Sequence, residues 1–279
     1  MYSSLITPQI VNEHLEVHDW RFLDCRFELT EPEKKLTEFL DSHLPGALYA
    51  HLNHDLAVPH IPGKTGRHPL PEKEKLKNLF SSWGIDGSVQ VVVYDDCGGA
   101  YAVRLWWMLR WLGHDAVALM DGGWPRWIKE GRPVTAELFV PQEKNFKADP
   151  RQSWLATAED IQNNFDNPDV CILDARNSDR FHGKNETIDP VAGHIPGALS
   201  APFADNLDAD GNWKPKADLR RRFENLLADS PVEKTVSYCG SGITACHNIL
   251  AMYHAGLGDS RLYCGSWSDW IADPKRPVA

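Results

Sequence analysis

Cys239 stands where a strand-like run, Thr235 to Tyr238, meets a glycine-bearing loop, Gly240-Ser241-Gly242-Ile243, which leads into a helical pattern from Thr244 to Ala255. A cysteine attacks as its thiolate, and an ordinary thiol with a pKa of about 8.5 is only a few per cent ionised at neutral pH. A loop that enters a helix beyond the carboxyl end of a parallel strand turns several backbone N–H groups toward its own centre. That centre favours an anion, so the loop is expected to stabilise a thiolate without a cationic side chain of its own. Lowering a thiol pKa by roughly two units takes about 2.7 kcal/mol, within reach of several charge-assisted N–H bonds and a helix terminus. Gly240 and Gly242 are expected to let the backbone curl around the sulfur without a Cβ in the way, and Ser241 to offer a hydroxyl.

The other cysteines, at 25, 97, 171, 246 and 264, form no C-x-x-C pair with it or with each other, so neither a zinc site nor a disulfide framework is signalled. A reducing compartment fits that usage. Lys and Arg total 29 against 39 Asp and Glu, a formal net charge of -10, and no basic run appears, which argues against nucleic acid as a partner. The first twenty residues lack a basic segment followed by an apolar stretch and a small-residue cleavage site, and no later window approaches a membrane span. The expected location is therefore cytoplasmic, with no membrane partner.

The elements that must position Cys239 occur twice. Leu23-Asp24-Cys25-Arg26 returns as Leu173-Asp174-Ala175-Arg176, and His43-Leu44-Pro45-Gly46-Ala47 as His194-Ile195-Pro196-Gly197-Ala198. Val91 to Asp95 matches Thr235 to Cys239, and Asp121-Gly122-Gly123-Trp124 matches Cys264-Gly265-Ser266-Trp267. In each half, short β-rich runs (Val89 to Tyr94, Val117 to Met120, Val170 to Leu173, Thr235 to Tyr238) alternate with helical patterns such as Tyr101 to Leu112. That order predicts an α/β protein of two similar domains, each a mainly parallel sheet flanked by helices. The boundaries are placed at residues 1–138, a connecting segment 139–154, and residues 155–279. Only the second half puts cysteine at the strand end; the first has Asp95 there.

The run Cys239-Gly240-Ser241-Gly242-Ile243-Thr244-Ala245 resembles the active-site loop of 3-mercaptopyruvate sulfurtransferases, with Ile in place of the usual Val, and the paired motifs resemble the tandem rhodanese family over nearly the whole chain. The resemblance implies two rhodanese-like domains, the first catalytically silent, and a loop whose residues from Gly240 through Ile243 and Thr244 bind the donor. Thiosulfate-preferring members tend to carry Arg and Lys after the cysteine, where this chain has Gly240 and Ser241. It further implies that Arg180 clamps a substrate carboxylate, a task suited to a planar two-donor fork, whereas Arg176 is structural because Arg26 repeats it. Many mercaptopyruvate enzymes have another arginine between that motif and the His-x-Pro-Gly segment; from Phe181 to Gly193 the only cation here is Lys184. Either Lys184 stands in as a point charge or the donor differs. A relay of Ser241 and His68 is implied as well, but Asn53 falls where its acid belongs and Asp55 lies two residues on.

Together these readings give a sulfurtransferase in which the Cys239 thiolate takes sulfur from a small-molecule donor as a persulfide. A thiol acceptor such as thioredoxin or a small thiol, or cyanide, then collects it; no metal or organic cofactor is called for. Thiosulfate as donor and a noncatalytic persulfide carrier are the open alternatives. A cysteine phosphatase is set aside, because Ala245 and its neighbours offer no arginine to close the loop on phosphate.

Overall fold

The computed structural model describes residues 1–165 and 167–279. The chain forms two compact units, one of residues 1–58, 71–151 and 209–213, the other of residues 59–70, 152–208 and 214–279.

In the first unit the elements run β1 (Leu5–Ile6), α1 (Pro8–Asn12), β2 (Trp20–Asp24), α2 (Lys34–Asp41), β3 (Ala47–Tyr49), α3 (Lys73–Ser82), β4 (Gln90–Tyr94), α4 (Ala102–Trp111), β5 (Val117–Met120) and α5 (Gly123–Lys129). The five strands are all parallel, in the order β1-β5-β4-β2-β3. A parallel sheet is covered on both faces, which is why β4 reads Gln-Val-Val-Val-Tyr and is buried throughout. The α4 helix, with two tryptophans side by side at Trp106 and Trp107, is likewise buried along its whole length.

The second unit repeats this plan with α6 (Ala158–Gln162), β6 (Ile172–Asp174), α7 (Ser178–Phe181), β7 (Leu199–Ser200), α8 (Lys216–Leu227), β8 (Val236–Tyr238), α9 (Ala245–His254), β9 (Arg261–Leu262) and α10 (Ser266–Trp270). Its parallel strands are ordered β7-β6-β8-β9, and a single parallel bridge from Leu155 to Leu262 stands where β1 pairs with β5 in the first unit. Each unit has its own apolar core, around Phe22, Val92 and Trp127 in one and Ile172, Val236 and Trp270 in the other.

The repeated motifs are the framework of this plan. Asp24 and Asp174, fully buried at strand ends, each take two or more hydrogen bonds from the arginine two residues on. Those guanidinium groups lie over the Trp124 and Trp267 rings at 4.4 and 4.7 Å. A buried charge needs such pairing, and this explains the Asp-x-Arg repeat without assigning it any chemistry. His43 and His194 stack on Phe39 and Phe181 and bond their carbonyls through Nδ1 at 2.6 and 2.9 Å. The strand-end tyrosines Tyr94 and Tyr238 accept the N–H groups of Leu44 and Ile195, pinning each His-x-Pro-Gly segment beside its strand.

Candidate active site

Cys239 is the first residue past β8 and is 2% exposed. The turn into α10 holds its backbone: Trp267 N–H donates to Cys239 O and Ser268 N–H to Gly240 O, both at 2.9 Å. Ser266 Oγ accepts the Cys239 N–H at 3.1 Å while donating to Tyr263 O at 2.9 Å. Ser266 does this from a left-handed φ of 54°, rare for a residue with a Cβ and typical of functional turns. The first unit has Gly123 at the matching place, also left-handed, so a serine where the repeat has glycine is a signal the sequence carried.

Around the sulfur, Gly242 N–H donates to Cys239 Sγ at 3.2 Å. Gly242 has φ 78°, and a Cβ there would collide with the carbonyl oxygen of Cys264, so glycine is required twice over. Gly240 differs from the expectation: its φ is not left-handed, and a Cβ on it would meet side-chain tips, Arg67 NH2 at 2.7 Å and the terminal nitrogens of Arg180 at 3.6 and 3.7 Å. The space beside Gly240, not its backbone freedom, is what the missing side chain provides. Ile243 is buried, and Thr244 precedes α9 without a side-chain capping bond.

The first unit shows what such a loop holds. Asp95, fully buried at the end of β4, receives the backbone N–H groups of Cys97 and Gly99 on one oxygen and of Tyr101 and Ala102 on the other, at 2.8 to 3.0 Å. Burial raises this carboxyl above the ordinary range, and the four amides oppose the rise. The loop thus surrounds an acceptor-only group with donors.

Ser241 and His68 meet: Ser241 Oγ and His68 Nδ1 are 2.8 Å apart, both side chains buried. Asn53 and Asp55 are occupied locally, Asn53 N–H donating to His51 Nδ1 and Asp55 Oδ2 accepting His51 N–H. Arg180, in α7, is held by two carboxylates, Nε on Glu186 at 3.0 and 3.1 Å and NH2 on Asp189 Oδ2 at 2.8 Å. Burial raises the Asp189 carboxyl against the pull of Arg67 and Arg180, whereas Glu186, despite burial, is held below its usual value by Arg180 and the amides of Ile188 and Asp189. Lys184 is exposed, so the second cation near the loop is Arg67, which sequence reasoning passed over.

Glu33, His51 and His54 bring three possible metal-ligand atoms within 4.8 Å of one another. Because His51 Nδ1 accepts the Asn53 N–H, its ring proton in the neutral state sits on Nε2, the atom a metal would need. The cluster is therefore poorly prepared for a metal ion.

The rhodanese-like domain model matches residues 7–130 and 157–273. A probable 3-mercaptopyruvate sulfurtransferase of Pseudomonas aeruginosa is 46% identical over 278 residues, covering 99% of this chain and 98% of the relative. Bovine thiosulfate sulfurtransferase is 35% identical, covering 90% of this chain and 84% of its own length. Among solved structures, 3-mercaptopyruvate sulfurtransferase from Leishmania major superposes with a TM-score of 0.85 at 31% identity, over 99% of this chain and 75% of that one. The chain belongs to the rhodanese family and carries two of its domains. Its named relatives are sulfurtransferases, and it is an enzyme of that class. Among the described residues no helix is long and apolar enough to cross a membrane.

Proposed function

We propose that the chain moves a sulfane sulfur from 3-mercaptopyruvate through a persulfide on Cys239 to a thiol acceptor, such as thioredoxin or a small thiol, or to cyanide. The observation that carries this is the buried Cys239 with a loop amide on its sulfur, in a loop whose counterpart wraps four amides around the Asp95 carboxylate. The Cys239 thiolate attacks the donor's sulfur. The donor's C–S bond breaks, its electron pair passes to carbon as the enolate of pyruvate, and the enolate takes up the proton given up by the donor thiol. A persulfide anion remains on Cys239, and loop amides offer it the donors that Asp95 uses in the other half. In this reading Ser241 and His68, which are in hydrogen-bond contact, pass the proton, and Arg180 orients the donor's carboxylate. The acceptor thiol then attacks the outer sulfur, leaving as its own persulfide and regenerating the Cys239 thiolate. The site works in the cytoplasm under this reading, without metal or cofactor.

A second reading, thiosulfate as donor, is favoured by Arg67, whose guanidinium NH2 would lie 2.7 Å from a Cβ on Gly240 and so brings a positive charge beside the cysteine loop. The discriminating experiment is a donor panel with pyruvate and sulfite detection, alongside mass measurement of the protein. Fast gain of one sulfur atom with pyruvate release, absent in Cys239→Ser, supports the proposal. Turnover surviving in Cys239→Ser, or sulfur loading only from a partner protein, refutes it.

A further inference from the structure

Helix α9, which the cysteine loop enters, is buried along most of its length, yet its first turn holds two polar side chains. His247 and Asn248 are both 0% exposed, and both are hydrogen-bonded to Asn206, which is buried to the same degree. A buried polar side chain is costly unless it is satisfied, so three of them joined to one another mark a built feature of the core.

Arg222 sets the direction of every bond in this group. A guanidinium has donors only, so its NH1, 2.6 Å from Asn206, fixes the atom it meets as Oδ1. Asn206 Nδ2 is thereby turned to donate to His247 Nδ1 at 3.0 Å and to Asn248 Oδ1 at 2.9 Å. His247 accepts on Nδ1, which leaves the proton of the neutral ring on Nε2. Asn248 Nδ2 donates in turn to Ala201 O, and Ala201 N–H to Asp174 O at the end of β6, both at 2.8 Å. One amide thus ties the start of α9 to the sheet.

The same turn is bonded to the loop. His247 N–H donates to Thr244 O at 3.1 Å, Cys246 N–H to Ile243 O at 3.0 Å, and Cys246 Sγ to Gly242 O at 3.6 Å. Gly242 N–H is the group on the Cys239 sulfur. From Asn206 to that sulfur the route runs through the imidazole and then through backbone alone.

We propose that Asn206, acting through His247 and Asn248, is a positioning residue for sulfur transfer: it sets where α9 begins and so where the Gly242 amide meets Cys239. Arg222 is the orienting group that makes Asn206 a donor toward α9. A fully satisfied buried network holds one arrangement, which suits a loop that must grip both a thiolate and a persulfide. The inference rests on the reading of Cys239 as the sulfur carrier.

The test compares wild type with Asn206→Ala, His247→Phe, Arg222→Met and Arg222→Lys, and with Ile161→Ala in the core beside α6 as a destabilised control. In steady-state transfer from 3-mercaptopyruvate, Asn206→Ala and His247→Phe should lower kcat about 10- to 100-fold with KM within about 3-fold, because neither side chain touches the donor in this reading. Arg222→Met should share the loss, and Arg222→Lys, which still donates to Oδ1, should recover most of it. Amide hydrogen exchange supplies the readout that lost stability alone does not move. The ratio of Gly242 to Val236 exchange should rise about 10-fold in Asn206→Ala and should not rise in Ile161→Ala. Wild-type kcat or an unmoved exchange ratio in Asn206→Ala overturns the inference, as does an equal fall of kcat in Ile161→Ala. If Asn206→Ala does not fold, the Arg222 pair decides: loss in the methionine variant with recovery in the lysine variant supports the proposal, and equal activity of the two overturns it. Should wild type transfer no sulfur, the Cys239 reading fails, while exchange at Gly242 still decides the role of Asn206.

Discussion

Replacing Gly242 by alanine separates the cradle's backbone from its chemistry. Gly242 has φ 78°, where a residue with a Cβ loses about 1–2 kcal/mol. The added Cβ would also overlap the Cys264 carbonyl oxygen and sit 3.0 Å from its carbon, so the loop must move, and overpacking of this kind costs about 1–3 kcal/mol. A total of about 2–5 kcal/mol predicts a Tm lower by roughly 5–15 °C for a chain of this size. The 3.2 Å contact from Gly242 N–H to Cys239 Sγ cannot survive such a shift, and a misplacement of about 1 Å costs on the order of 100-fold in rate. Gly240→Ala is the control: with no left-handed φ and only arginine side-chain tips near the added Cβ, it should keep its Tm within about 2 °C. Thermal melting and single-turnover sulfur loading read both variants. If Gly242→Ala loads sulfur and melts like wild type, the cradle described here is not what holds the sulfur.

Two further outcomes follow from buried groups. Asp95→Asn leaves two of the four loop amides facing an NH2 group, so it should destabilise the protein by about 2–5 kcal/mol in urea unfolding; a loss under 1 kcal/mol would mean the amides are not spent on that carboxylate. His254 is pushed down from 6.5 to about 4, first by burial and then by Lys216. The folded state therefore binds fewer protons than the unfolded chain between those values, and the stability it protects is complete above pH 6.5 and lost as pH falls toward 4. His254→Asn should flatten this acid limb by on the order of 1–2 kcal/mol, an amount reduced for the group's partial exposure. Parallel stability curves for the two proteins from pH 7 to 4.5 would contradict it.

The repeat made most of the fold legible. Matching motifs imply matching packing, and β5 spans the residues its Val-Ala-Leu-Met run marks, while α4 falls one residue short of its periodic pattern at each end. The two-residue strands β1, β7 and β9 carry too short a run to register as a period, and pairing with a neighbour is what defines them. In the site, the resemblance paired Ser241 with His68, and their side chains do touch. Arg67 was illegible although it adjoins His68, because a lone arginine in a polar segment has no local pattern; only tertiary closure brings it to Gly240. Nor did glycine at 240 and at 242 look different on paper, yet one leaves volume for a side chain and the other adopts a backbone conformation. Asp189 escaped for the same reason, since it reaches Arg67 far along the chain, whereas Ser266 was marked by the repeat, which has Gly123 at its place.

The Asp95 carboxylate gives the duplicated half a permanent occupant. Under the proposed mechanism a sulfur atom on the second loop comes and goes with each catalytic round, so its amides alternate between two clients. In the first loop the guest is covalently part of the host and never leaves. On that proposal, a single exchange of cysteine for aspartate retires a carrier site without emptying it, leaving that half mechanically sound and chemically mute.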